Sequence, residues 1–305
     1  MNIIKAYNMN DHLKDEKDQT IDQPEEKMAI PIDEYIEEEA DEKGQKVAHK
    51  GVYLLPNLFT TAALFAGFYS IVSAMHAPAV LAEEGMDAAK GYFIYSAIAI
   101  FVAMIMDGLD GRVARFTNSQ SPFGAEYDSL SDMIAFGLAP ALLAFQWSLA
   151  GAGKIGWMVA FIYVACAALR LARFNVQIGS VDKKYFIGLA SPSAAAMVAS
   201  SVWTFNNLDV AGDKVILIML ILVLASGCLM VSNIKYYSFK NLDFKRRVPF
   251  IVILVVVLGF AIIGTAPSYV LLLLFFTYSA SGPVQYLIKL RKSYKIKTAK
   301  LDSKG

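Results

Sequence analysis

From residue 53 onward the chain repeats one theme, a run of about twenty apolar residues followed by a short polar break. A helix rises about 1.5 Å per residue, so a run of that length crosses the hydrocarbon of a bilayer. Lipid offers no water to backbone N–H and C=O groups, and a helix satisfies them internally. Composition points the same way: 56% of residues are hydrophobic and 18% charged, against roughly 45–50% and 25% in soluble domains. The runs cover about 56–76, 91–113, 124–149, 155–176, 188–206, 214–234, 248–264 and 267–289. They predict an all-α, polytopic membrane helix bundle of about eight transmembrane helices, occupying 51–290.

The flanks differ from this domain and from each other. More than half of the 27 acidic residues fall in residues 1–50. That composition predicts a solvated, largely disordered acidic tail. Residues 291–305 form a basic tail. The start, MNIIKAYNMNDHLKDEKDQT, lacks the apolar core of a signal peptide. Alternate breaks are basic (RLARFNVQIGSVDKK, IKYYSFKNLDFKRR, IKLRKSYKIKTAK), while the others hold one lysine each, Lys90, Lys154 and Lys214. The positive-inside rule then puts both termini and the basic breaks in the cytoplasm. Cys166 and Cys228 lie in apolar runs without paired spacing and read as small core residues. Tyr236, Tyr237, Trp147, Trp157 and Trp203 lie near expected boundaries and read as interfacial anchors.

One stretch breaks the apolar pattern. DGLDGRVARFTNSQSPFGAEYDSLSD, residues 107–132, places Asp107, Asp110, Asp128 and Asp132 between two greasy runs. Carboxylates at a bilayer edge are costly unless paired, solvated or metal-bound. Asp107, Asp110 and Gly111 are spaced i, i+3, i+4, one helix face; Asp128 and Asp132 are spaced i, i+4 on the next helix. The Asn-, Ser-, Pro- and Gly-containing stretch between them predicts a turn that makes the two ends neighbours. Four converging anions need cations, and carboxylate oxygen suits hard Mg²⁺, Mn²⁺ or Ca²⁺. A pair of divalent ions under substrate phosphates is a usual phosphoryl-transfer arrangement. Gly108, Gly111 and Gly124 leave room for a ligand to approach the backbone. The competing reading has the aspartates capping helices or pairing with Arg112 and Arg115. A cation transporter would instead need carboxylates near mid-bilayer and interrupted helices in both halves.

The pattern D-x-x-D-G-x-x-A-R, eight residues, then G-x-x-x-D-x-x-x-D resembles the signature of the CDP-alcohol phosphotransferase family. Asp107, Asp110, Gly111, Ala114, Arg115, Gly124, Asp128 and Asp132 match it without departure. The resemblance implies transfer of a substituted phosphate from a CDP-linked donor to a hydroxyl, releasing CMP. It implies that Asp107, Asp110, Asp128 and Asp132 hold two Mg²⁺ or Mn²⁺ ions and that Asp132 also acts as the base. Gly108, Gly111, Ala114, Arg115 and Gly124 would bind the nucleotide. LLPNLFTTAALFAGFYSI, LRLARFNV, FIGLASPSAAA and MVSNIKYYSFKNLDF resemble the bacterial branch whose donor is CDP-diacylglycerol and whose acceptor is L-serine, giving phosphatidylserine. Ala190 stands where that branch has a proline.

For an acceptor carrying a carboxylate, Arg170, Arg173, Lys184, Ser191, Asn233 and Lys235 are the candidates, with Lys183 and Asn175 nearby. Positive-inside topology alone would also place basic residues here. Glycerol phosphate, inositol phosphate or choline remain alternative acceptors. Small residues of SPSAAAMVASS are expected to leave a lateral groove for two acyl chains. The resemblance implies a homodimer, and the charge pattern puts the active site on the cytoplasmic side of the inner (cytoplasmic) membrane. The basic clusters sit against lipid, so no nucleic acid is expected.

Overall fold

The computed structural model describes residues 54–117, 119, 121–177, 185–237, 258–259, 261–262 and 264–302. The acidic tail, Lys183 and Lys184 lie outside that range, as do 248–257 of the expected seventh span.

The first two helices form a hairpin. Helix α1 runs Leu54–Glu83 and α2 runs Met86–Phe116. Gly85, at φ 91°, makes the tight break between them, a conformation that glycine adopts without steric cost. Small residues suit close packing of the two helices: Ala63, Ala66, Ala74 and Ala77 on α1 and Ala89, Ala97 and Ala103 on α2 are all buried. Ser70 and Ser96 share a hydrogen bond of 2.8 Å across the pair, and Ser73 donates to the Tyr92 carbonyl at 2.9 Å.

Next comes a helix of three parts: α3 (Pro122–Asp132), a π-helical turn (Met133–Leu138) and α4 (Ala139–Trp147). Helix α5 (Lys154–Gln177) follows, then α6 (Ser191–Asn207), α7 (Ile216–Val231) and the long α8 (Pro267–Asp302). Two short strands, β1 (Tyr185–Ile187) and β2 (Lys235–Tyr237), pair antiparallel with Phe186 opposite Tyr236. Both lie in the basic breaks, where periodicity had given only loops.

Among the described residues, six helices are long and apolar enough to cross a membrane: Pro56–Glu83, Met86–Phe116, Pro122–Trp147, Lys154–Val176, Gly212–Val231 and Pro267–Lys289. The expected fifth span forms as α6, a 17-residue helix of roughly 25 Å, short of the ~30 Å hydrocarbon. It is the centre of the bundle, with every residue from Ala194 to Val202 buried. The chain is therefore an all-α polytopic membrane protein.

Burial overturns several expectations. The small residues of α6 from Ala194 to Val202 are all buried, and the apolar groove described below lies on other helices. Trp147 is buried and stacks on Phe205, and the half-buried Trp203 packs on Phe101 against the core, whereas Trp157 stays exposed. Tyr236 is buried too, donating its hydroxyl to the Ser279 carbonyl at 3.0 Å. Burial, and then nearby Tyr278, push its phenol up to about 12, which keeps it a neutral donor. Cys166 is buried as expected, but Cys228 is exposed on α7.

Candidate active site

The last turns of α2 and the first turns of α3 meet beside the start of α1. Helix α3 begins because Ser121, extended at φ −129°, caps it: its Oγ accepts the Gly124 N–H at 3.0 Å, and Pro122 follows. With a serine as cap, Asp128 and Asp132 stand about two and three turns further on, so capping of the helix start does not explain them. Arg115 donates Nε to the Gly111 carbonyl at 2.7 Å, which holds its guanidinium along α2.

One ligand oxygen from each of Asp107, Asp110 and Asp128 falls within 4.8 Å of the other two. Asp110 is only 5% exposed, and the other two are half-buried. Thr60 of α1, itself buried, donates Oγ1 to Asp110 Oδ2 at 2.8 Å. The same oxygen lies 3.1 Å from the Pro56 carbonyl. Its single proton goes to the nearer, anionic acceptor. Ser131 Oγ donates to the Thr60 carbonyl at 3.1 Å, and Thr61 shares a 2.8 Å hydrogen bond with Tyr127. Three helices are thus pinned around one carboxylate.

Hard oxygen ligands from two rigid helices, gathered at this separation, fit a divalent cation of the Mg²⁺ or Mn²⁺ class. Asp132 lies one turn deeper and is not one of the three. Its charge acts on Asp107, Asp128 and Arg170.

A cavity of about 340 Å³ opens onto the cluster, within the range of small-ligand sites. Its walls are Asn57 and Thr60 of α1, Asp110, Gly111, Ala114 and Arg115 of α2, Ser119 and Ser121 of the turn, and Gly124 and Asp128 of α3. A methyl group added at Gly111 meets nothing within 4 Å, so it would occupy the cavity itself. Gly111, Ala114, Arg115 and Gly124 all line this cavity. Gly108 does not line the cavity.

A second, apolar groove of about 670 Å³ runs along the outer face of the α1–α2 hairpin. It is walled by residues such as Leu58, Ala62, Phe65, Tyr95 and Val102, and it reaches Met106, the residue before Asp107.

The basic candidates gather in pairs. Arg170 donates Nη1 to Ser191 Oγ at 2.6 Å, and Arg173 donates Nη2 to Asn233 Oδ1 at 2.8 Å. Asn175 Nδ2 donates to Ser129 Oγ at 3.1 Å, one residue from Asp128. Arg170 also feels the charges of Asp132 and Asp107. Lys235 is exposed on β2. None of these basic residues lines the 340 Å³ cavity.

Sequence reading missed Asn57, Thr60, Ser119, Ser121 and Ser131. The available signal was PNLFTT, a cluster of polar side chains in the first turns of an otherwise apolar span.

Comparison with known proteins agrees with this geometry. The CDP-alcohol phosphatidyltransferase family profile matches residues 53–232. A CDP-diacylglycerol–serine O-phosphatidyltransferase of Helicobacter pylori is 38% identical over 204 residues, covering 67% of this chain and 80% of that protein. One from Methanocaldococcus jannaschii is 38% identical over 188 residues, 62% of this chain and 82% of its own length. One from Saccharomyces cerevisiae is 38% identical over 141 residues, 44% and 48%. The matched region contains the aspartate junction, its cavity, Arg170, Arg173 and Ser191, and on that ground the chain belongs to the CDP-alcohol phosphatidyltransferase family.

Proposed function

We propose that this chain transfers the phosphatidyl group of CDP-diacylglycerol to the hydroxyl of L-serine, yielding phosphatidylserine and CMP. The observation that carries the reading is the closure of Asp107, Asp110 and Asp128 to within 4.8 Å beside a nucleotide-sized cavity at the end of two membrane helices.

Asp107, Asp110 and Asp128 would hold divalent metal, with Asp132 completing a site for two ions. Bound there, the ions neutralise the donor's diphosphate and the charge that develops on the transferring phosphoryl group. The cavity takes the cytidine nucleotide against Gly111, Ala114 and Gly124, with Arg115 at its rim. The acyl chains lie in the α1–α2 groove, which is open to lipid and begins beside Met106. Asp132 accepts the proton of the serine hydroxyl as that oxygen bonds to the phosphatidyl phosphorus. The bond from that phosphorus to the bridging oxygen breaks, and CMP leaves with its electron pair. Arg170 and Arg173 supply planar donors suited to a carboxylate.

The junction shares its end of the bundle with Arg112, Arg115, Arg170 and Arg173, a basic clustering that supports a site facing the cytoplasm from the inner membrane. A homodimer is the assembly this reading expects; in detergent its protein mass would be twice 33.4 kDa.

The test is an acceptor screen with purified protein and CDP-diacylglycerol, scoring CMP release. Serine is expected to support turnover above glycerol phosphate, and EDTA to abolish it. Faster turnover with glycerol phosphate would overturn the acceptor assignment while leaving the family chemistry intact.

A further inference from the structure

We propose that Pro140 and Tyr163 set the aim of Asp132 through the π turn between α3 and α4, and that Tyr163 is a positioning residue for the proton transfer. The inference rests on Asp132 as the proton acceptor.

The π turn, Met133–Leu138, begins at the residue after Asp132. Pro140 lies just past its end. In a regular α-helix residue 140 would donate its N–H to the carbonyl of Phe136. Proline has no such proton, and its ring collides with that carbonyl. The helix widens: the Ala139 N–H bonds to the Ile134 carbonyl, five residues back, the π pattern. The Phe136 carbonyl accepts instead from the Tyr163 hydroxyl of α5, at 3.2 Å. Tyr163 is fully buried, so water does not compete for that bond.

The extra residue has a geometric effect. Each residue of an α-helix turns the chain by about 100°, so one inserted residue rotates everything beyond it by that amount relative to α3. Ser131 and Phe136, five apart, both face the core. The wide turn thus lets Asp128 and Asp132 face the aspartate cluster while Leu143, Ala144 and Trp147 face the bundle interior.

The turn is gripped from two sides. A methyl group on Gly67 of α1 would stand 2.7 Å from the Ala135 Cα, and one on Gly137 would stand 3.4 Å from the Ala167 Cβ of α5. Tyr163, Ala167 and Arg170 are spaced i, i+4, i+7 on one face of α5. That face holds the π turn with Tyr163 and acts on Asp132 with Arg170.

Misplacing a reacting group by 1 Å can cost about 10²-fold. Tyr163→Phe keeps the ring and deletes only the donor. It should lower kcat by roughly 10- to 100-fold, with KM for CDP-diacylglycerol and for serine within about twofold. Pro140→Ala returns the N–H to the Phe136 carbonyl and favours a regular helix; it should show the same loss without a lower Tm. In Pro140→Ala that carbonyl no longer needs the tyrosine, so the double variant should lose no more than Pro140→Ala alone. Wild-type kcat in Tyr163→Phe, or a loss that only follows the unfolded fraction, overturns the proposal. If Tyr163→Phe does not fold, wild-type kcat in Pro140→Ala overturns it equally. Asp132→Asn separates the two levels. An active Asp132→Asn defeats the base assignment, whereas an inactive one beside fully active Tyr163→Phe and Pro140→Ala defeats only the positioning role.

Discussion

Helix α2 carries acidic residues at both of its ends, and the two ends behave differently. At one, Glu83, Glu84 and Asp87 surround the α1–α2 break, all three exposed, and Lys90 bonds Asp87 at 3.3 Å and also Asp209. At the other, Asp107, Asp110 and Asp128 close on one another, one of them buried and fixed by a threonine from a third helix. Acidic content is similar. What differs is burial and convergence: exposed carboxylates are solvated one by one, while sheltered ones raise a shared field that only a cation offsets.

The sharpest way to break this comparison is to remove one carboxylate from each end. Asp128→Asn should cut CMP release by about 10²–10⁴-fold, the range for losing a principal group of a phosphoryl-transfer site. Asp87→Asn should leave it within about twofold, the scale of an exposed pair. Removing divalent metal with EDTA should silence the enzyme, and Mg²⁺ or Mn²⁺ should restore it. A chelated enzyme at full speed would show that the convergence of carboxylates is not a metal site.

Thr60 sharpens the comparison, because it is the feature the far end lacks. A hydrogen bond to a charged group contributes about 1.5–3 kcal/mol. Thr60→Val removes the bond to Asp110 and keeps the shape, so metal retention should weaken by roughly 10- to 100-fold. The readout is the Mn²⁺ concentration for half-maximal CMP release, with unchanged KM for serine. An unshifted metal requirement would mean that Asp110 is held by its helix alone.

How far the sequence reading reached follows from the same contrast. The carboxylates were legible because their spacings, i, i+3 and i, i+4, are helical periods within one chain segment. Thr60 was not, because it lies fifty residues from its partner and no local period links them. The π turn escaped for a related reason: a 3.6-residue period run through Asp132 and Ala139 is off by one residue, and only Pro140 hinted at it. Six spans came out close to where hydropathy put them, but burial on α6, Trp147, Trp203 and Tyr236 depends on neighbours that hydropathy does not see. Hydropathy reads an apolar residue the same way whether it faces lipid or protein.

The α1–α2 groove gives a smaller effect. Acyl chains entering it leave lipid for a surface equally apolar, so little transfer energy is at stake. Ala62→Trp, which fills the groove, should raise KM for CDP-diacylglycerol by only about three- to fivefold and leave kcat for serine unchanged. A rise in the serine KM instead would move the lipid elsewhere.

The smallest expected effect is at Lys90, and it tests the far end directly. Lys90 sits in the first turns of α2 and reaches both Asp87 and Asp209, the latter in a left-handed turn after α6 at φ 56°. Aspartate tolerates that conformation better than most residues, so the turn does not depend on the lysine. Asp87 is almost fully exposed and Asp209 largely so; water replaces the ammonium when it is lost. Lys90→Met should therefore leave kcat, KM and the Mn²⁺ requirement within about twofold of wild type. A loss beyond tenfold would mean that this ion pair sets the position of α2 along its axis and so of Asp107 and Asp110 at its other end. The two ends would then be one mechanical unit instead of a site and a solvated cap.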